Sequence, residues 1–179
     1  MSDDEARLIQ RAKQGDPAAF TEIYERCQPF IYRYVLYQLG DAATAEDLTS
    51  EVFIRMVEKI DRFTYRGRPL LAWLYTIARN LITDHRRRAG KIQPLTPDSQ
   101  LTDEAVDIEG SVLGKLTLRR LTIAIAQLTK DQRQVILLRF IEGLDNATAA
   151  AVLGKSVNAI KALQHRALTS LRRILEKND

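Results

Sequence analysis

The chain has 179 residues, 45% hydrophobic and 28% charged, with a formal net charge of +4. That size holds one ordinary domain or two small ones, and the balance excludes wholesale disorder. Cys27 is the only cysteine, and His85 and His165 stand far apart with no carboxylate at ligand spacing, which excludes an internal disulfide and leaves neither a metal nor a cofactor expected.

Apolar residues recur at helical spacing throughout. An all-α fold is therefore predicted, with two small helical domains over residues 1–90 and 113–179 joined by an acidic flexible linker over 91–112. No run of eighteen apolar residues occurs and Met1–Glu5 is acidic, so a cytoplasmic protein without membrane insertion is expected. The first helix is predicted around Glu5–Gln14. Asp16 and Pro17 form a cap and first-turn pair. The run they open reaches Leu39, with Pro29 expected to break or kink it. Thr44-Ala-Glu-Asp47 reads as a capping box for a helix to about Ile60. Leu48, Val52, Phe53, Met56, Val57 and Ile60 give that helix a wide apolar arc. Asp47, Glu51 and Glu58 lie opposite, with Ile54 among them. Single exposed apolar residues are common, and an apolar anchor with a charged rim is also the anatomy of a protein-binding patch; both readings stand at this point.

Residues 61–68 are a loop with Phe63 and Tyr65 among Arg62, Arg66 and Arg68. Aromatics can stack on unpaired bases while arginines hold phosphates, although Phe63 also suits anchoring the loop to the core. Pro69 then starts a helix in which Leu70, Leu74, Ile77 and Leu81 make one apolar stripe. A second stripe, Trp73, Thr76, Asn80, Thr83 and Arg87, lies clear of the first and ends in the run Arg86–Arg88. This is either a surface for a nucleic acid or a tryptophan at the edge of a core followed by a solvated helix end.

Beyond the linker, helices are predicted over Leu113–Leu128, Lys130–Ile141, Ala147–Leu153 and Val157–Glu176. Residues 143–168 have the layout of a helix-turn-helix, with Gly154 in the turn and Ser156 as the next cap. In the second helix Val157, Ile160, Leu163, Leu168 and Leu171 form the expected packed side. Asn158, Lys161, Ala162, His165 and Arg166 form the free side, suited to major-groove contact. An ordinary helical bundle with a basic end fits the same pattern. Charge is segregated: residues 62–91 carry net +7 and 155–179 net +4, while 1–61 and 92–110 each carry net −5. Two basic blocks separated by an acidic one suggest two nucleic-acid contacts on one chain. No nucleophile lies beside a base and no phosphate loop is present, so no enzymatic activity is expected.

Three segments, taken in order, resemble bacterial sigma factors of the extracytoplasmic function group. DLTSEVFIRMVEKIDRF (47–63) is similar to the part of sigma region 2 that docks on the clamp helices of the RNA polymerase β′ subunit. RGRPLLAWLYTIARNLITDHRRR (66–88) resembles the part that melts and reads the −10 element. LTKDQRQVILLRFIEGLDNATAAAVLGKSVNAIKALQHRAL (128–168) resembles region 4, which reads the −35 element. The resemblance implies a promoter-specificity subunit that binds core RNA polymerase through its β′ clamp and β subunits, binds promoter DNA and assists melting. It assigns Asp47, Ser50, Glu51, Ile54 and Glu58 to polymerase contact. Phe63, Tyr65, Arg66, Arg68, Trp73, Thr76, Asn80, Thr83 and Arg87 fall to the −10 strand, and Ser156, Asn158, Lys161, Ala162, Leu163, His165 and Arg166 to the −35 element. An anti-sigma factor is implied as a further partner. Ser50 stands where the family often has Gln, and Ala162-Leu163 where many members carry Ser-Arg. The alternative is a stand-alone helix-turn-helix regulator, which leaves the acidic face around Ile54 unexplained.

Overall fold

The computed structural model describes residues 3–64, 69–90 and 120–177, and among these every regular element is helical. The chain divides into two compact units, residues 1–99 and 100–179. The expected linker over 91–112 lies outside the described residues.

The first unit contains α1 (Asp3–Lys13), α2 (Pro17–Leu39), α3 (Ala42–Lys59), a 3-10 turn (Ile60–Arg62) and α4 (Leu70–Ala89). Asp16 caps α2 through the Ala18 N–H at 2.9 Å, as the Asp-Pro pair predicts. Pro29 does not break α2, which runs unbroken to Leu39. Pro29 and its neighbour Phe30 are exposed, so the carbonyl that the ring cannot pair is on a side that water can reach. The predicted start of α3 is corrected too: Asp41, not Thr44, is the cap, accepting the Thr44 N–H at 2.8 Å. Gly40, at φ 76°, reverses the chain just before it.

Helices α2, α3 and α4 pack mutually, and α1 packs on α2 and the 3-10 turn. Ile23, Ile31, Tyr34, Val35, Val52, Met56, Leu74, Tyr75 and Ile82 form the core, with Tyr34 and Tyr75 meeting edge to face at 5.2 Å. Cys27 is buried in α2, and burial, reinforced by the Glu5 carboxylate, pushes its thiol up to about 11. Such a thiol stays protonated and acts as a small hydrophobe.

The second unit contains α5 (120–126), α6 (Lys130–Ile136) running into a π turn (Leu137–Ile141), α7 (Asn146–Leu153) and α8 (Val157–Lys177). The part of Leu113–Leu128 before 120 lies outside the described residues. Thr129 and Gln132 form a reciprocal capping box at the start of α6, at 3.4 and 3.3 Å, which had no counterpart in the sequence reading. Asp145 caps α7 through the Thr148 N–H at 2.6 Å, and Gly154 ends α7 at φ 63°. Ser156 then caps α8 through the Ala159 N–H at 3.1 Å. Ala149 and Ala150 are buried, so the short side chains of α7 allow close approach to α8.

Leu74 is fully buried, and Leu74→Ala is expected to cost about 2–5 kcal/mol in urea unfolding. The Thr148 N–H, then its hydroxyl, hold the Asp145 carboxyl below its ordinary value. Because the folded value is depressed, the stabilisation is complete above about pH 4 and is lost as pH falls through the folded value. Asp145→Asn retains a cap, so thermal unfolding of that variant below pH 4 is expected to lose less with acid than the parent.

Candidate nucleic-acid interface

Helix α4 is one-sided. Leu70, Leu74, Ile77 and Leu81 are buried, while Asn80, Thr83 and Arg87 are exposed and Trp73 and Thr76 are half-buried. The Thr76 hydroxyl donates to the Ala72 carbonyl at 3.1 Å and the Thr83 hydroxyl to the Arg79 carbonyl at 2.9 Å. Each hydroxyl hydrogen is thus used on the helix, leaving oxygen lone pairs as acceptors toward the outer face.

Trp73 lies against Phe63, ring centroids 4.8 Å apart and tilted by 36°. Phe63 itself is only 8% exposed. Of the two readings of Phe63, the burial fits the one in which its ring anchors the chain to the core, here against Trp73. Tyr65, Arg66 and Arg68 lie outside the described residues.

The arginine run divides. Arg87 and Arg88 are exposed, and Arg87 pairs with Asp84 at 3.2 Å. Arg86 turns into the domain, its guanidinium donating to the Gln38 carbonyl and, at 3.2 Å, to Gln38 Oε1. Burial holds Arg86 below its ordinary value, yet a guanidinium starts high enough to remain charged at neutral pH. It fastens the end of α4 to the last turn of α2, where a cation also complements the carbonyl end of the helix.

On α3, Asp47, Ser50, Ile54 and Glu58 are exposed and Glu51 is half-buried. Glu51 accepts from Arg55 Nε at 2.8 Å, and the Ser50 hydroxyl donates to its own helix at the Glu46 carbonyl, 3.0 Å away. Ile54 is 54% exposed, as its place among the carboxylates predicts, but Val57 is 50% exposed against its expected place in the core. Three residues apart, the two make a continuous outward apolar ridge. A cleft lined by Asp47, Leu48, Glu51, Arg55, Leu81, Asp84, His85 and Arg88 runs along the α3–α4 junction.

In the second unit Asn158, Lys161, Ala162, His165 and Arg166 are exposed on α8, and Ser156 is exposed at its cap. Leu163 is half-buried beside Gln164, whose Oε1 accepts from Arg139 Nε at 3.4 Å. The packed side differs from the expected one: Ile160 and Ala167 are buried, but Val157 is 39% and Leu168 42% exposed. With Ile160 at the centre of the contact, Ala167 follows after seven residues, and Leu168 is rotated a further 100° or so outward. Lys155 of the turn pairs with Asp131 of α6 at 3.0 Å, bracing the turn from outside.

Among the described residues no group of histidine, cysteine and carboxylate side chains is arranged to hold a metal ion, and no helix is long and apolar enough to cross a membrane.

The Sigma-70 region 2 family matches residues 23–92 and the Sigma-70 region 4 family matches residues 118–171. The chain is 42% identical over 170 residues to the ECF RNA polymerase sigma factor BldN of Streptomyces coelicolor, covering 94% of this chain but spanning only 64% of that protein. It is 36% identical over 180 residues to the ECF RNA polymerase sigma factor SigC of Mycobacterium tuberculosis, covering 99% and 96% of the two chains. Among solved structures, the sigma factor RpoE of Bartonella quintana, in complex with the anti-sigma factor NepR, is 28% identical with a TM-score of 0.70 over 88% of this chain and 96% of that one. CnrH, in complex with the cytosolic domain of CnrY, shares the fold at 24% identity and a TM-score of 0.77, covering 99% and 100% of the two chains.

Trp73 is the only tryptophan, so its emission reports this surface alone. Phe63→Ala removes the ring beneath it and is expected to shift Trp73 emission to longer wavelength as water reaches the indole; an unshifted spectrum would show that Phe63 does not support Trp73.

Proposed function

The chain belongs to the extracytoplasmic function sigma factors of RNA polymerase, and from that premise we propose that it directs core polymerase to promoters by holding an opened −10 strand on α4 and a −35 duplex on α8. The observation that carries this reading is the one-sidedness of α4: its apolar stripe is spent on the core, while an aromatic, acceptor hydroxyls, an amide and arginines are left outward. Separating base pairs costs roughly 1.4 kcal/mol per stacked step. Stacking of one base on an aromatic returns about 1–3 kcal/mol, so a single indole with flanking arginines offsets a step or two. Trp73, Thr76, Asn80, Thr83 and Arg87 contact the strand in this scheme, with Tyr65, Arg66 and Arg68 of the preceding loop, and Phe63 acts from below.

On α3, Ile54 and Val57 are the apolar anchor and Asp47, Ser50, Glu51 and Glu58 the rim of the surface that meets the β′ subunit. The short, internally satisfied Ser50 adds little reach there. On α8, Asn158, Lys161, Ala162, His165 and Arg166 face the major groove, Leu163 lies at its margin, and Ser156 fixes the helix start near the phosphates. Reading DNA only on polymerase requires no catalytic group in the chain itself, and places the protein in the cytoplasm with its template. The likeness to RpoE, solved in complex with the anti-sigma factor NepR, supports an anti-sigma factor as a second partner.

Run-off transcription with purified core polymerase and a genomic promoter library tests the reading. The chain is expected to co-purify with core polymerase and to create new start sites. Arg166→Ala is expected to weaken promoter-dependent transcription with core affinity intact. Tight duplex binding without any effect on polymerase would point instead to a stand-alone regulator. Ile54→Glu places a charge at the centre of the docking ridge and is expected to weaken core binding at least about tenfold, or 1.4 kcal/mol, with an unchanged unfolding temperature; a well-folded Ile54→Glu with parental affinity would remove Ile54 from the interface.

A further inference from the structure

Helix α4 begins without a cap of its own. Pro69 occupies the cap position and has no side chain that can accept a hydrogen bond. The exposed amide of the first helical residue is instead taken from far away in sequence: the Leu70 N–H donates to Glu5 Oε1 at 2.8 Å, in a half-buried setting. A carboxylate at a helix start also meets the positive end of the helix dipole. Glu5 is held in turn, because the neighbouring Asp4 pairs with Arg26 of α2 at 2.9 Å and Leu8 and Ile9 of the same helix are buried. The same helix α1 packs against the 3-10 turn Ile60–Arg62, which leads directly into Phe63. Helix α1 thus meets the chain both just before Phe63 and at Leu70, and Trp73 stands three residues beyond the amide that Glu5 holds.

We infer that Glu5 is a positioning residue for strand opening: by capping α4 from α1 it fixes the first turn of that helix, and with it the direction in which Trp73 meets an unpaired base. This rests on the −10 reading proposed above. The role is confined to the start of α4, since the residues assigned to docking on α3 lie on a different helix and share no hydrogen bond with Glu5 among those described.

The test uses the full chain with core polymerase and a promoter recovered by run-off transcription, carrying 2-aminopurine in the −10 element to report opening. Glu5→Ala is expected to slow opening about fivefold, the size of one lost helix cap, and to reduce discrimination against a promoter with one substituted −10 base, while core affinity is unchanged. Glu5→Gln keeps an acceptor and is expected to stay near the parental rate. Adding Pro69→Asp to Glu5→Ala supplies a local cap and is expected to restore opening and discrimination together. The inference is overturned if Glu5→Ala opens DNA at the parental rate, or if it loses core affinity in proportion to opening, which marks a general loss of structure. Trp73→Ala run in parallel separates the two levels. Impaired opening in Trp73→Ala beside a normal Glu5→Ala removes only the role of Glu5, whereas normal opening in both removes the −10 reading as well.

Discussion

A twenty-residue helix that must be gripped along one side and left open along the other is the constraint on which the first unit depends. The grip is supplied by Leu70, Leu74, Tyr75, Ile77, Ala78, Leu81 and Ile82, all buried against α2 and α3. Burying such side chains stabilises by about 1.5–3 kcal/mol each for the larger ones, which leaves the outer row free of any packing duty. Polar tethers at both ends complete the hold: Glu5 at the first amide and Arg86 at the last turn, each reaching a different helix. Under the proposed strand-holding role such rigidity matters, because any freedom in Trp73 would have to be lost on binding.

The second unit solves a related problem with less apolar material. Its α7 is short and rich in alanine, and the angle between α7 and α8 is set by chain reversals and caps more than by bulk. Gly154 takes the left-handed conformation, Ser156 and Asp145 satisfy the exposed amides, and Lys155–Asp131 ties the turn to α6. Capping is local and sequence-encoded, so the orientation of the outward face of α8 is written within about a dozen residues.

Most of this architecture was legible because it rests on periodicity and short-range chemistry. The stripes of α4 and the free side of α8 follow from 3.6-residue spacing, and the Asp16 and Ser156 caps from the residue types that serve as caps. The misreadings share a different cause. Pro29 was expected to break or kink α2, and the break does not occur because tertiary packing on both sides of it outweighs one lost hydrogen bond. Asp41 displaced Thr44 as a cap because Gly40 fixes where the chain turns. Val57 and Leu168 satisfy an apolar pattern yet face outward, since a pattern gives the width of an apolar arc but not how much of it a neighbouring helix covers. Phe63 and Trp73 were assigned to the same strand-facing surface, but that one ring packs against the other is a three-dimensional fact. The Glu5–Leu70 contact spans 65 residues and leaves no trace in any local motif.

The inward turn of Arg86 alters how the basic run of α4 counts in solution. A guanidinium engaged with Gln38 neither condenses on a phosphate nor displaces a counterion from one. Each phosphate neutralised on a single strand adds about 0.7 to the slope of log affinity against log salt. With Arg86 turned inward and Arg87 sharing its charge with Asp84, a sequence-based tally of positive charge overstates the electrostatic pull of this helix.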